Sequence, residues 1–168
     1  MRAKFIAAMM VLALAAMTAG AQDTRGKAEA TVKGKKITID YGRPALHGRD
    51  MIGLAKPGMT WRIGMDEATE IQTTAALVVG GKELKPGKYS LWARKTSPTE
   101  WILAFHPQTG VWGDPPLESG YIAQVPLKLD KAANSAEQLT ITLADKAGEA
   151  AITIHWGTAQ LSTTIGVK

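Results

Sequence analysis

The chain has 168 residues, of which 45% are hydrophobic, with no cysteine and a formal net charge of +5. This length suits one domain whose core is large enough to fold without disulfide cross-links. Charges of both signs are mixed along the chain, with no basic block and no recognition-helix pattern, so we set nucleic-acid binding aside.

The first 21 residues have the pattern of a signal peptide. Arg2 and Lys4 precede an apolar run over residues 5–17, and small residues lead up to Ala21, as signal peptidase requires. The run is shorter than the roughly 20 residues that cross a bilayer. We predict cleavage after Ala21, a periplasmic or secreted domain over residues 22–168, and no stable membrane insertion after cleavage. The alternative is an uncleaved interfacial anchor.

Short stretches of the remaining chain alternate between apolar and polar residues, which is typical of β-strands. The segments predicted to be β-rich are residues 28–32, 36–41, 69–74, 75–79, 88–94, 100–106, 121–129, 138–144, 150–156 and 161–167. The apolar same-face sets are Ile37, Ile39 and Tyr41; Tyr89, Leu91 and Ala93; Trp101, Leu103 and Phe105; Leu139, Ile141 and Leu143; and Ile152, Ile154 and Trp156. Trp92 shares the other face of its strand with Ser90 and Arg94, which places it either in solvent or at a contact between sheet and loop.

Turn signals separate these strands. Residues 33–35, Gly80-Gly81 and Pro86-Gly87 are predicted turns, and residues 130–136 are a predicted polar connector. With about eight or nine short strands and no long amphipathic helix, the chain is predicted to be all-β. The expected architecture is an antiparallel β-sandwich or partly closed barrel with one long irregular loop segment.

The irregular segment covers residues 41–69, where Gly42 and Pro44 interrupt regular pairing. Asp50 is predicted to cap a helical turn. A second loop, residues 107–120, is rich in glycine and proline, and loops of this length in compact domains are often functional. We expect a ligand site where these two irregular segments meet.

Three arginines in the first segment, Arg43, Arg49 and Arg62, suit carboxylates, phosphates and acidic sugars. Trp61 and Trp112 would supply apolar walls on which sugar rings can stack. In the alternative interpretation these residues are structural. The arginines then form ion pairs with nearby acids, and the indoles anchor the loops.

Asp66 and Glu67 are the candidate acid and base of a hydrolase. Adjacent residues of an extended chain point to opposite faces, which argues against a working pair. His47 and His106 have no close metal-binding spacing, although the fold could bring them together, so we predict no metal and no cofactor. The chain also has no cysteine and no Gly-x-Ser-x-Gly nucleophile motif.

The chain contains several short motifs whose combined spacing is specific. They are Tyr41-Gly42-Arg43-Pro44, Gly48-Arg49, Trp61-Arg62-x-Gly64-x-x-Glu67-Ala68-Thr69, Gly87-x-Tyr89-Ser90-Leu91, Glu100-Trp101 and Trp112-Gly113. Through them the chain resembles a bacterial family catalogued as domain of unknown function 2911. The resemblance implies an exported β-rich domain and supplies neither a function nor catalytic residues. That family tends to have Ala-Asn where Met65-Asp66 stand here, and it often has Asn near the end of the Trp101 strand, where this chain has His106-Pro107. A pocket formed by these positions would therefore differ in charge.

We therefore predict an exported, non-catalytic β-sandwich that binds a small anionic or carbohydrate ligand. The candidate ligand-binding residues are Arg43, His47, Arg49, Trp61, Arg62, Glu67, His106 and Trp112. One alternative is a hydrolase that uses Asp66 or Glu67 in an arginine-rich pocket, and another is a structural protein of the cell envelope. The sequence leaves the oligomeric state open.

Overall fold

The computed structural model describes residues 24–168, so the predicted signal peptide lies outside the described residues. Ten β-strands and one 3₁₀ turn form the regular structure of that part. The strands are β1 (Arg25–Val32), β2 (Lys35–Gly42), β3 (Thr60–Trp61), β4 (Glu70–Thr73), β5 (Leu77–Val79), β6 (Lys82–Leu84), β7 (Gly87–Lys95), β8 (Trp101–His106), β9 (Ala123–Lys146) and β10 (Glu149–Val167), and the 3₁₀ turn is Glu118–Gly120. Over residues 24–168 no helix has the length and apolar character that crossing a membrane requires.

All pairings are antiparallel and join the strands into one sheet. The order is β1-β2-β4-β7-β8-β9-β10-β5-β6, and β3 pairs with β7 beyond the end of β4. The sheet is not closed into a barrel, because its path ends at β1 and β6. It folds over as a β-sandwich in which β1 packs against β9. The prediction of an all-β antiparallel fold is confirmed, and of its two forms the structure shows the sandwich, with a sheet that is not closed into a barrel.

The strands β9 and β10 are longer than the sequence predicts. Residues 130–136, expected to be a connector, lie within β9, and the two predicted strands at 150–156 and 161–167 are both parts of β10. The register between β9 and β10 shifts on both sides of Gly157, where a φ of 64° lets the strand bend. Within residues 130–136, Asp130, Lys131 and Ala136 pair with β10 around this bend. None of the seven residues is fully buried, so their polar composition hid a strand.

The core between the layers contains the same-face sets that alternation identifies. The largest fully buried side chains include Ile37, Ile39, Leu91, Trp101, Leu103, Phe105, Leu139 and Ile152. In the irregular segment, the Asp50 carboxylate accepts the Gly53 N–H at 2.8 Å, and the Asp50 carbonyl accepts the Leu54 N–H at 2.9 Å. The turn capped by Asp50 is therefore confirmed.

Candidate functional site

Residues 62–69 connect β3 to β4, and both of these strands pair with β7. The ends of this 62–69 loop are joined by the Thr69 N–H, which donates to the Arg62 carbonyl at 3.2 Å. Within it, the Thr69 hydroxyl donates to the Ile63 carbonyl at 2.7 Å, and the Arg62 guanidinium donates to the Asp66 carbonyl at 2.9 Å. These bonds give an irregular segment a fixed shape, because they satisfy its backbone carbonyls internally.

The 62–69 loop lies directly on the end of β2. A Cβ added at Gly42 would collide with the carbonyl oxygen of Met65, and one added at Gly64 would lie 2.8 Å from the Gly42 carbonyl oxygen. Both glycines are therefore required by the close approach of two backbones. Ile63 is fully buried with a φ of 55°, a conformation that strains a β-branched residue. Strain of this kind concentrates at functional segments, which the surrounding structure must hold in place.

The 107–122 loop, which connects β8 to β9, packs against the 62–69 loop. Glu67 and Trp112 form an isolated antiparallel bridge, and the Ala68 N–H donates to the Val111 carbonyl at 2.9 Å. The expected meeting of the two irregular segments thus takes place, and it uses backbone pairing. Trp112 is nevertheless 65% exposed.

Side chains add two further ties between these segments. The Glu70 carboxylate accepts the Gly110 N–H at 2.6 Å and also pairs with Lys88. The guanidinium of Arg62 reaches the Gly113 carbonyl at 3.5 Å. The chain on either side of Trp112 is therefore held at several points, although its indole projects into solvent.

Under the 107–122 loop lies a second, small core on the outer face of β7 and β8. We call this group the outer core: it consists of Ala68, Trp92, Ala104 and Tyr121, with Val111 packed against it. The Trp92 indole N–H donates to the Ser90 hydroxyl at 3.0 Å. Of the two placements that the sequence offers for Trp92, the contact between sheet and loop is the one observed.

His106 lies at the edge of the outer core. Strand register sets Glu70, Ser90 and His106 side by side on three neighbouring strands. The His106 Nδ1 accepts the Gln108 N–H at 3.0 Å, which in the neutral ring places the proton on Nε2. Burial lowers the pKa of His106 from its ordinary value, because desolvation penalises the imidazolium.

Tyr121 closes the outer core from above. Its ring meets the His106 ring edge-on at 5.8 Å, and the guanidinium of Arg94, which pairs with Glu118, lies 5.4 Å above it. Burial raises the pKa of Tyr121; the Arg94 charge lowers it and the Glu118 charge adds to the rise. This buried phenol packs the 107–122 loop onto the sheet.

Three of the predicted site residues lie elsewhere. The Arg43 guanidinium donates to the Leu139 carbonyl at 3.4 Å, and the His47 N–H donates to the Glu137 carboxylate at 3.1 Å, so both are tied to β9. The Arg49 guanidinium donates to a carbonyl three residues before it, also at 3.4 Å. Arg43, Arg49 and Arg62 thus bind main-chain carbonyls, a structural role that differs from the expected ion pairs with acids.

The two tryptophans predicted as apolar walls are separated. Trp61 stacks on Trp156 in the core, with ring centroids 5.7 Å apart and planes 13° from parallel. Only Trp112 therefore remains on the outer surface. Sequence reasoning missed Tyr121 and left the burial of Trp92 open, although a tryptophan on the same strand face as Ser90 and Arg94 was a sign of a covered outer face.

The two candidate catalytic acids, Asp66 and Glu67, are adjacent in the chain. Asp66 has a φ of 62°, so the backbone is not extended at this residue. Across residues 24–168, no three or more His, Asp, Glu or Cys side chains gather in a way that could hold a metal ion. His47 and His106 make their hydrogen bonds to different parts of the fold.

A protein-family model matches residues 23–165, and its description is Protein of unknown function (DUF2911). This match confirms the resemblance that the motifs indicate. No match was found among curated proteins or among solved structures.

Proposed function

The chain belongs to the family of proteins of unknown function DUF2911, and we propose that it is a non-catalytic binding domain whose ligand is a saccharide. The binding surface is the junction of the 62–69 loop and the 107–122 loop. The observation that carries this proposal is Trp112, a residue that is 65% exposed although backbone pairing holds its chain in place. The predicted export of the domain would bring it to the saccharides of the cell envelope.

A fixed and exposed indole is suited to stacking on the apolar face of a sugar ring. Its surroundings are already ordered by contacts to Glu67 and Gly113, so binding would require little further loss of chain entropy. Two exposed acids belong to this junction: Glu67 is the bridge partner of Trp112, and Asp114 follows Trp112 by two residues in the chain. Carboxylates accept hydrogen bonds from sugar hydroxyls, which adds orientation to the stacking.

The distribution of charge favours a hydroxyl-rich ring over an anion. Arg43 and Arg49 bind carbonyls outside the junction, which leaves Arg62 as the arginine beside Trp112. The NH1 group of Arg62 already bonds to carbonyl oxygens of both loops. A strongly anionic ligand would also meet the Glu67 carboxylate.

The hydrolase alternative would need a second carboxyl group to act with Glu67. Hydrolysis by two carboxyl groups needs them about 5–10 Å apart across the substrate. Of the neighbouring acids, Glu70 is bound to Lys88 and to the Gly110 N–H, and Glu118 is paired with Arg94. These contacts support binding over catalysis.

The test is a titration of the domain with neutral oligosaccharides and peptidoglycan fragments, followed by calorimetry and by iodide quenching of tryptophan emission. Trp112 is the most exposed indole of the described chain, so a bound sugar should protect it from iodide. We expect Trp112→Ala to weaken binding at least tenfold at unchanged melting temperature. Leu117→Ala, which removes another exposed apolar side chain of the same loop, is the matched control. Equal saccharide affinity in Trp112→Ala and the unaltered domain, or binding of no saccharide, would reject the proposal.

A further inference from the structure

The strand β10 has one edge that no strand of the described chain covers along most of its length. Its first edge pairs with β9 from Glu149 to Ser162, whereas its second edge pairs with β5 at Gly166 and Val167. Over Glu149–His155 no backbone hydrogen bond joins this second edge to another part of residues 24–168. Alternate residues of a strand direct their N–H and C=O groups to opposite edges, so the second edge presents a row of donors and acceptors.

The space beside this edge is open to solvent. A cleft of about 670 Å³ borders three consecutive residues of β10, Ala151, Ile152 and Thr153. Their side chains point to alternate faces of the sheet, and their partners in β9, residues 142–144, do not line the cleft. The cleft therefore reaches β10 from its uncovered edge, and it leaves room for another strand to approach.

The two ends of the sheet are protected against such pairing. Natural proteins shield exposed edges with charged side chains and with short edge strands. The first strand of the sheet, β1, carries Arg25, Lys27 and Glu29 along its length. The strand at the other end, β6, is three residues long and begins with Lys82-Glu83.

The uncovered edge of β10 lacks this protection. From Ala150 to Val167 the chain contains no Lys, Arg, Asp, Glu or Pro. The register shift at Gly157 interrupts the strand, which limits the regular part of the edge to Glu149–His155. An uncharged regular edge of this kind is a template for pairing with another strand.

We propose that this edge is a dimer interface, at which β10 of one chain pairs antiparallel with β10 of a second copy across a twofold axis. A twofold axis makes the same segment of both chains the interface. For the inner side chains of both copies to lie on one face of the joined sheet, a single residue must lie on the axis. Ile152 is the middle of Glu149–His155, so an axis at Ile152 pairs this whole segment with its copy.

The side chains of the segment suit this register. It sets the buried Ala150 opposite Ile154, and the partly exposed Ala151 opposite Thr153, so a small residue faces a larger one at both places. Glu149 lies opposite His155 and not opposite a second carboxylate, which avoids the cost of like charges across a strand pair. The backbone hydrogen bonds of the added strand would supply the affinity.

The experiment measures the mass of residues 22–168 in solution by analytical ultracentrifugation over a wide range of concentration. We expect a dimer whose fraction rises with concentration. Ala151→Lys places two ammonium groups beside the axis and should weaken dimerisation at least tenfold. Ala144→Lys is the matched control, because Ala144 is exposed and lies opposite Ala151 on β9, one strand away from the edge. A chain that stays monomeric at its highest soluble concentration, or equal weakening in the two variants, would overturn the proposal.

Introduced cysteines test the register, since the chain has none of its own. Ala151→Cys and Thr153→Cys lie opposite each other across the proposed axis. When the two variants are mixed and oxidised, a disulfide between unlike variants should form faster than one between like variants, and intact mass distinguishes the products. Products in statistical proportions would show that this pairing does not occur. Both readouts need no ligand, so their failure is independent of the saccharide proposal.

Discussion

The two faces of β7 and β8 are both buried, but different parts of the chain cover them. The inner face carries Leu91, Leu103 and Phe105, which pack against the regular strands of the other layer. The outer face carries Trp92 and His106, which the irregular 107–122 loop covers. The inner face is apolar and is covered by regular strands. The outer face is covered by the loop and includes the buried Ser90 hydroxyl and the His106 imidazole. We infer that the inner face supplies most of the stability and that the outer core positions the loop that carries Trp112.

The strongest test of this comparison is Trp92→Ala. Trp92 is 1% exposed, and removal of a buried tryptophan typically lowers the free energy of unfolding by about 3–5 kcal/mol. We expect a loss in this range by urea unfolding, together with faster hydrogen exchange of the Ala68 N–H, which donates to the 107–122 loop. The control is Phe105→Ala on the inner face, because Phe105 is buried as fully as Trp92.

Phe105→Ala should lower global stability. The Ala68 N–H should then exchange faster only to the extent that global unfolding becomes more frequent, with no additional local opening. Trp92→Phe keeps the ring and loses the bond to Ser90, so its effect should be smaller than that of Trp92→Ala. A loss below about 1 kcal/mol in Trp92→Ala would mean that the outer core is not a true core.

A smaller effect is expected for Gly42→Ala. The added Cβ would collide with the Met65 carbonyl, so the 62–69 loop must shift away from β2. Overpacking of this kind lowers the free energy of unfolding by about 1–3 kcal/mol, which a urea titration measures. Gly34→Ala is the comparison, because no atom lies within 4 Å of its Cβ and only its positive φ opposes the substitution. A loss below about 0.5 kcal/mol in Gly42→Ala would show that the contact with Met65 is unimportant.

The sequence predicts the inner face well and the outer face poorly, for a physical reason. Alternation reports which side chains of one strand share a face, so Leu103 and Phe105 were assigned together and are buried together. It carries no information on what covers the opposite face. Trp92 is buried by a loop that starts more than ten residues further along the chain, and no local pattern encodes that contact.

The candidate site shows the same limit. The sequence places Arg62 and Glu67 on one irregular segment and Trp112 on another, and it predicts that the two segments meet. The structure shows this meeting. The sequence gives Arg43 and Arg49 the same role because arginine suits anions. The structure instead uses both to bind carbonyl oxygens, since irregular backbone needs donors as much as a ligand does.

The pH dependence of stability should also distinguish the two faces, because His106 belongs to the outer face. Burial lowers its pKa below the ordinary value of about 6.5, so folding favours the neutral ring. This contribution to stability is fully present above pH 6.5 and is lost as the pH falls through the lowered pKa of the folded state. Protonation would also turn Nδ1 from an acceptor into a donor that faces the Gln108 N–H. We expect urea unfolding to show a fall in stability between pH 7.5 and pH 5.

His106→Asn is the matched variant, since its amide oxygen can still accept the Gln108 N–H and has no charge to gain. It should remove this part of the pH dependence and restore the protection of the Gln108 amide from hydrogen exchange at pH 5. Carboxylates also titrate below pH 5, so the comparison is restricted to the range above it. An identical pH profile in both proteins would assign the effect to other groups.

The smallest effect on stability is expected at the residue on which the proposed function depends. Trp112 is 65% exposed and is held through its backbone, which the variant Trp112→Ala retains. Surface substitutions of this kind change the free energy of unfolding by about 0.5 kcal/mol or less. A stability change of that size, with loss of saccharide binding, would separate function at the outer surface from stability in the core. A loss of several kcal/mol would instead show that the indole anchors the loop, and it would favour the structural interpretation of the tryptophans.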